Sequence, residues 1–171
     1  FVFFGIIALL LYIYLYNYFN SPYIILFQRV SQILANNYNP SAYSCTYVDV
    51  SGILKICNQY FNLTADNNTL PIRIVFIYYS FLNKSSMYNF FQNIVNNNIL
   101  NIGNLEYNGH NITYSQVQFV NGYQVFTAYI MKGNSIFEIS ALNNITNSDY
   151  NETKYLIAKM GYIIEENQSH S

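Results

Sequence analysis

Apolar side chains and one glycine fill Phe1 to Leu11. From Tyr12 to Tyr18 every second residue is tyrosine, with Ile13, Leu15 and the polar Asn17 between them, and no charge interrupts residues 1–19. As a helix this stretch rises about 28 Å at 1.5 Å per residue, close to the ~30 Å hydrocarbon thickness of a bilayer. Tyr12, Tyr14, Tyr16 and Tyr18 gather toward its end, as in an aromatic belt. The segment therefore reads as a membrane anchor. After Asn20-Ser21-Pro22, Tyr23 to Asn37 places Leu26, Phe27, Val30, Ile33 and Leu34 at helical spacing, with Ser21 as cap and Pro22 at the first helical position. Asn36 to Ser44 reads as a loop and Val50 to Phe61 as a short helix.

From Pro71 the period changes. Ile72 to Tyr79 is β-branched and aromatic, the composition of a buried strand. Ser85 to Asn97 reads as a helix capped by Ser85 or Ser86. A meander follows at Ile102–Tyr107, Ile112–Val120, Tyr123–Met131 and Ser135–Leu142, with turns at Asn108-Gly109, Asn121-Gly122 and Lys132-Gly133-Asn134. Asp149 to Met160 reads as a last helix ended by Gly161. The predicted fold class is α+β: an N-terminal transmembrane or filament-core helix, then an antiparallel β-meander of four or five strands with helices packed on one face. Four parts follow: residues 1–19, the hydrophobic helix; 20–70, a helical and loop region with a candidate disulfide; 71–164, an α+β extracytoplasmic domain; and 165–171, a polar tail.

Seven N-x-[ST] patterns begin at Asn62, Asn67, Asn83, Asn111, Asn144, Asn151 and Asn167. Random placement of this chain's Asn, Ser and Thr gives about three. Five of the seven threonines in the chain stand two residues after one of these asparagines. Most of the seven sites lie in polar, turn-like stretches where a glycan would be solvated. The alternative is an asparagine-rich composition that fills loops. Read as N-linked glycosylation sites, they place the chain beyond residue 60 outside the cell. They also orient residues 1–19, because the first basic residue is Arg29 and no flanking charge does so. A cleavable secretory signal would need a basic start, a shorter apolar core and a small-x-small site, none of which is visible. The first residue is not Met, which fits a removed leader or a truncated start.

Charged residues are 9 % of the 171, and the formal net charge is -1. No basic face exists to neutralise phosphates, so nucleic acid is an unexpected partner. With 52 % apolar residues the chain is too hydrophobic for disorder. Nineteen tyrosines with no tryptophan supply apolar area with polar tips that stay neutral in acid. Cys45 and Cys57, twelve residues apart, read as a disulfide outside the cell; two buried free thiols are the alternative.

Catalytic chemistry is not encoded in any motif. His110 and His170 lack a second ligand at helical or hairpin spacing, so no metal site is expected. Glu106 and Glu138 would resemble paired carboxylates if their strands were neighbours, but alternation makes both equally plausible as solvent-facing residues. No catalytic residue, cofactor or enzyme activity is expected.

The Asn-, Ile- and Tyr-rich, charge-poor, sequon-dense layout resembles surface glycoproteins of thermoacidophilic archaea such as the Sulfolobales. Phe1 before a long apolar helix, the Pro22 break and the four-strand meander are similar to type IV pilins, although Gly5 stands where bacterial pilins carry a glutamate. The apolar N-terminal run and the sequons, together with the first resemblance, imply a membrane-anchored extracytoplasmic glycoprotein with a structural or assembly role in the cell envelope. A pilin-like subunit of an extracellular filament is the alternative, and a non-catalytic accessory subunit of a membrane enzyme complex a further one. Implied partners are a lipid bilayer or identical subunits through residues 1–19, other envelope proteins and N-linked glycans. The implied location is the cell membrane with the C-terminal domain extracellular, or an extracellular filament.

Overall fold

The computed structural model describes residues 2–19, 22–64, 69–97, 101–120, 122–144 and 151–166. In chain order the elements are α1 (Val2–Phe19), α2 (Pro22–Leu34), β1 (Tyr38–Pro40), β2 (Ser44–Val50), β3 (Ile53–Leu63), β4 (Arg73–Phe81), α3 (Lys84–Asn97), β5 (Asn101–Tyr107), β6 (His110–Val120), β7 (Tyr123–Lys132), β8 (Ser135–Asn144) and α4 (Asn151–Glu166). Among the described residues, eight antiparallel strands make one sheet in the order β1-β3-β4-β8-β7-β6-β5, with β2 following β1 along the outer side of β3.

The meander is built by local turns. Asn108 and Gly109 both take positive φ between Tyr107 and His110, as a two-residue primed turn requires. Ser51 and Gly52 do the same between Val50 and Ile53. The last strand then returns to an early one. β8 inserts between β7 and β4, pairing Tyr78 with Phe137 and Phe76 with Ile139. That long-range ladder joins the two halves of the chain.

Alternation along the central strands sends one set of side chains to a large core. Phe61, Ile74, Phe76, Phe126, Ala128, Ile130, Phe137, Ile139 and Ala141 pack beneath Leu26, Phe27, Val30 and Leu34 of α2 and Ile157, Ala158, Met160 and Ile164 of α4. On the other face Met87, Phe90 and Phe91 of α3 pack on Ile53, Tyr79, Phe81, Tyr129 and Ile136.

The expected fold class is corrected by these observations. Residues 2–19 do form a helix, but among the described residues no helix is long and apolar enough to cross a membrane. The 18 residues of α1 rise about 27 Å, and Asn17 with four tyrosines occupies the second half, shortening its continuous apolar length. The transmembrane helix expected over residues 1–19 is thus corrected to an apolar helix, Val2–Phe19, that is not long and apolar enough to cross a membrane. The sheet has eight strands, of which the predicted meander is half, and it carries helices on both faces. Val50 to Phe61, read as a helix, instead supplies the end of β2, the Ser51-Gly52 turn and most of β3, along which Cys57, Gln59 and Phe61 are buried at alternate positions. Short apolar runs satisfy helical and strand periods alike, and pairing with β4 decides between them. Strands β1 to β3 also put segment 20–70 into the same sheet as β4.

Two helix ends differ as well. The cap of α3 is Asn83, whose Oδ1 accepts the Ser86 N–H at 2.8 Å, so the helix starts before Ser85. Helix α4 passes through Gly161 and continues to Glu166. The Ser21 cap, the Asp149 helix start, Asn121 of the turn and the tail beyond Glu166 lie outside the described residues.

Candidate functional site

Beneath α3, the central strands carry a polar row in an otherwise apolar face. Glu138 lies on β8 with Tyr129 directly opposite on β7 and Ile77 opposite on β4. Two positions along, Thr127 faces Ser140. The Tyr79 hydroxyl donates to Glu138 Oε2 at 2.9 Å and the Ser140 hydroxyl donates to Oε1 at 3.1 Å. Thr127 Oγ1 and Ser140 Oγ are 2.9 Å apart, which extends the chain of hydroxyls. Phe90 stands 5.2 Å from the Tyr79 ring and Phe91 6.0 Å from Tyr129, so α3 roofs the group with aromatic surface.

Burial pushes the Glu138 carboxyl above its ordinary range; the two hydroxyl donors pull the other way and do not prevail. Burial also raises Tyr79 and Tyr129, with the nearby Glu138 charge adding to both. Among the described residues no Lys, Arg or His forms an ion pair with Glu138. The arrangement can hold a proton on a carboxyl group and satisfy both of its oxygens. It presents neither an activated nucleophile nor a second carboxylate. Glu106 is on β5, three strands away across β7 and β6, or about 14 Å at the usual strand spacing. The paired-carboxylate arrangement is therefore absent, and Glu106 sits opposite Asn111.

A second cluster joins the β5–β6 turn to the end of α4. His110 Nδ1 lies 3.1 Å from Glu165 Oε2, and the His110 ring packs edge-on against Tyr162 at 5.0 Å. Tyr107 contacts both Tyr155 and Tyr162, which are seven residues apart on one side of α4. Tyr162 donates to Glu166 Oε1 at 2.7 Å, and Lys132 Nζ donates to the Ile164 carbonyl, serving the C-terminal end of the helix. Among the described residues no set of three metal-ligating side chains occurs. His170 lies outside them.

Cys45 and Cys57, directly opposite on β2 and β3, form a disulfide. Asn62, Asn83, Asn144 and Asn151 are exposed near the ends of β3, β4, β8 and the start of α4. The carbonyl oxygen of Asn62 accepts from Arg73 at 2.8 Å, and that of Asn83 caps α3. In both, Nδ2 is the atom a glycan would take. Thr153, which completes the pattern at Asn151, is buried and donates to Asn143 Oδ1 at 2.7 Å. A glycan at Asn151 would therefore have to be added before this contact forms. Asn111 is on β6, and Asn67 and Asn167 lie outside the described residues.

Among the described residues, the longest run of exposed apolar side chains belongs to α1. Ile6, Ile7, Leu9, Leu10, Leu11, Ile13 and Leu15 are all exposed, Leu10 by 61 %. A contiguous run of this kind on a folded chain marks an interaction surface. Motif reading missed the hydroxyl row around Glu138, because Tyr79, Thr127, Tyr129 and Ser140 come from three strands and share no local pattern. It also missed Gln124 and Asn143, paired across β7 and β8 and buried, each with one side-chain atom lacking a hydrogen-bond partner.

No protein-family model and no curated protein sequence matches the chain. Among solved structures it is similar to the extracellular domain of PknH from Mycobacterium tuberculosis, with a TM-score of 0.50 over 81 % of this chain and 91 % of that one. Sequence identity is 9 %, so the likeness is one of fold.

Proposed function

We propose that the chain is an extracytoplasmic glycoprotein with a structural or assembly role at the cell envelope, with no chemistry of its own. The observation that carries the assembly role is the bare apolar surface of α1, which the chain's own domain leaves uncovered and which a partner envelope protein would cover. Three features support the compartment. A disulfide fixes the edge strand β2 to β3, and such bonds persist in oxidising surroundings. Four sequon asparagines are exposed at strand ends and helix starts. The fold is shared with an extracellular domain.

Peptide mapping of the native protein tests the compartment. Glycan mass on the Asn62, Asn83 or Asn144 peptides, together with an oxidised Cys45–Cys57 pair, is the expected result. Unmodified peptides with free thiols would sink the placement. Native electrophoresis tests assembly: the chain should migrate within a larger complex, and migration as an isolated chain removes that role.

A further inference from the structure

The sheet has two outer edges, and they are built differently. One, formed by β1 and β2, is guarded. Pro40 offers no N–H, the pairing shifts register between Tyr47 and Val50, and Asp49 is exposed there. Prolines, irregular pairing and charges are the devices that stop an edge from recruiting another strand. The other edge, β5, has none of these beyond the single charge of Glu106. All seven of its residues pair with β6 in unbroken register, with no proline and no lysine. β5 ends the strand order, and among the described residues no other backbone segment bonds to its outer side. A regular row of backbone donors and acceptors is chemically specific: what satisfies it is another extended backbone.

We propose that this partner is a second copy of the chain, joined by antiparallel β5–β5 pairing with Asn104 on the two-fold axis. The inference goes beyond the role proposed above, since it needs neither glycans nor α1. The sequence of β5 is compatible with itself in that register. Asn104 meets Asn104 of the second copy, Leu105 is placed opposite Gly103, and Glu106 opposite Ile102. The two Glu106 charges then lie four residues apart along the ladder, about 14 Å, so no like-charge pair forms. A chain of net charge -1 also meets little long-range repulsion from its copy. Beside this edge, Tyr155 of α4 packs on Tyr107 yet remains 55 % exposed, leaving aromatic surface next to the pairing line.

The contrast between edges also sets the size of the assembly. Pairing β5 with β5 is isologous and closes after two copies, because the edges left outside are the guarded ones. Pairing β5 with the β1–β2 edge would propagate without limit, and Pro40 with the register shift opposes it.

Site-specific cross-linking of the full chain tests the register, with a mild detergent to shield α1. Asn104→Cys should give a covalent dimer that reductant dissolves, because directly opposed strand residues have Cα atoms about 4.5–5.5 Å apart. Glu106→Cys should remain uncross-linked. By sedimentation the parent chain should run as a dimer and Asn104→Lys as a monomer with unchanged circular dichroism. Tyr47→Lys on the opposite edge should still dimerise. Equal cross-linking by both cysteine variants, a dimer that survives Asn104→Lys, or a parent that is monomeric throughout the accessible concentration range would each overturn the proposal.

Discussion

A Cβ added at Gly161 of α4 would lie 2.5 Å from Ile112 Cδ1 and 3.2 Å from both of its γ carbons. Ile112 is buried on β6, so the missing side chain is what lets the helix settle onto the sheet. Glycine costs helix stability of about 1 kcal/mol relative to alanine, and the close approach explains why it is kept in mid-helix.

Gly161→Ala should therefore destabilise the fold by about 1–2 kcal/mol, overpacking outweighing the gain in helix propensity. Adding Ile112→Val, which removes Cδ1, should return part of the loss. Urea denaturation of the two single variants and the double variant measures the coupling; strict additivity would show that the contact does not limit packing.

Glu138 gives stability a pH dependence of known sign. Its folded-state value is raised by burial above the ordinary 4.5, so its contribution is fully present below that pH and is lost as pH rises through the folded value. In that window the folded chain binds more protons than the unfolded one. Glu138→Gln keeps the hydrogen-bonding shape without the charge. Its stability relative to the parent should improve steadily from pH 4 toward pH 7, as followed by thermal melts. A constant difference would mean that the carboxyl is solvated.

Reducing the disulfide, or replacing Cys45 and Cys57 by serine, should lower stability by about 3 kcal/mol, the loop-entropy value for a short closed segment. The loss should be local. Cys45 sits on an edge strand whose backbone ladder, among the described residues, is with β3 alone, so hydrogen exchange should accelerate in β2 while β4, β7 and β8 stay protected.

Asn83 combines a helix cap with a sequon, and two substitutions separate them. Asn83→Asp retains an oxygen acceptor for the Ser86 N–H but cannot carry a glycan, so it should leave stability of the unglycosylated chain nearly unchanged. Asn83→Ala removes both and should cost about 1 kcal/mol. Equal effects of the two on melting temperature would argue against the cap.

How far each element could be read follows from how local its cause is. Asn108-Gly109 fixes its own hairpin through two positive φ angles, and alternation along Tyr123–Lys132 and Ser135–Asn144 sorts side chains between faces within each strand. Gly161 carries the same local signature as a helix stop, so its role against Ile112 was illegible until β6 was in place. The Val50–Phe61 stretch fails for a related reason, since its period becomes a strand only when β4 pairs with it. For the polar cluster the signal was weaker still: Glu138 looks like any strand carboxylate until Tyr79, Tyr129 and α3 enclose it.

By itself the sequence determined the four-strand meander, amphipathic α2, the candidate cystine partners and the apolar character of residues 1–19, because turn chemistry, side-chain period and residue identity act over a few positions. The tertiary structure alone decided that β8 lies between β4 and β7, that helices cover both faces, that Glu138 is desolvated, and that β5 ends the sheet with no strand on its outer side among the described residues. Those outcomes come from ladders and packing between segments distant along the chain. Their free energy belongs to pairs of segments, and no single segment carries its signature.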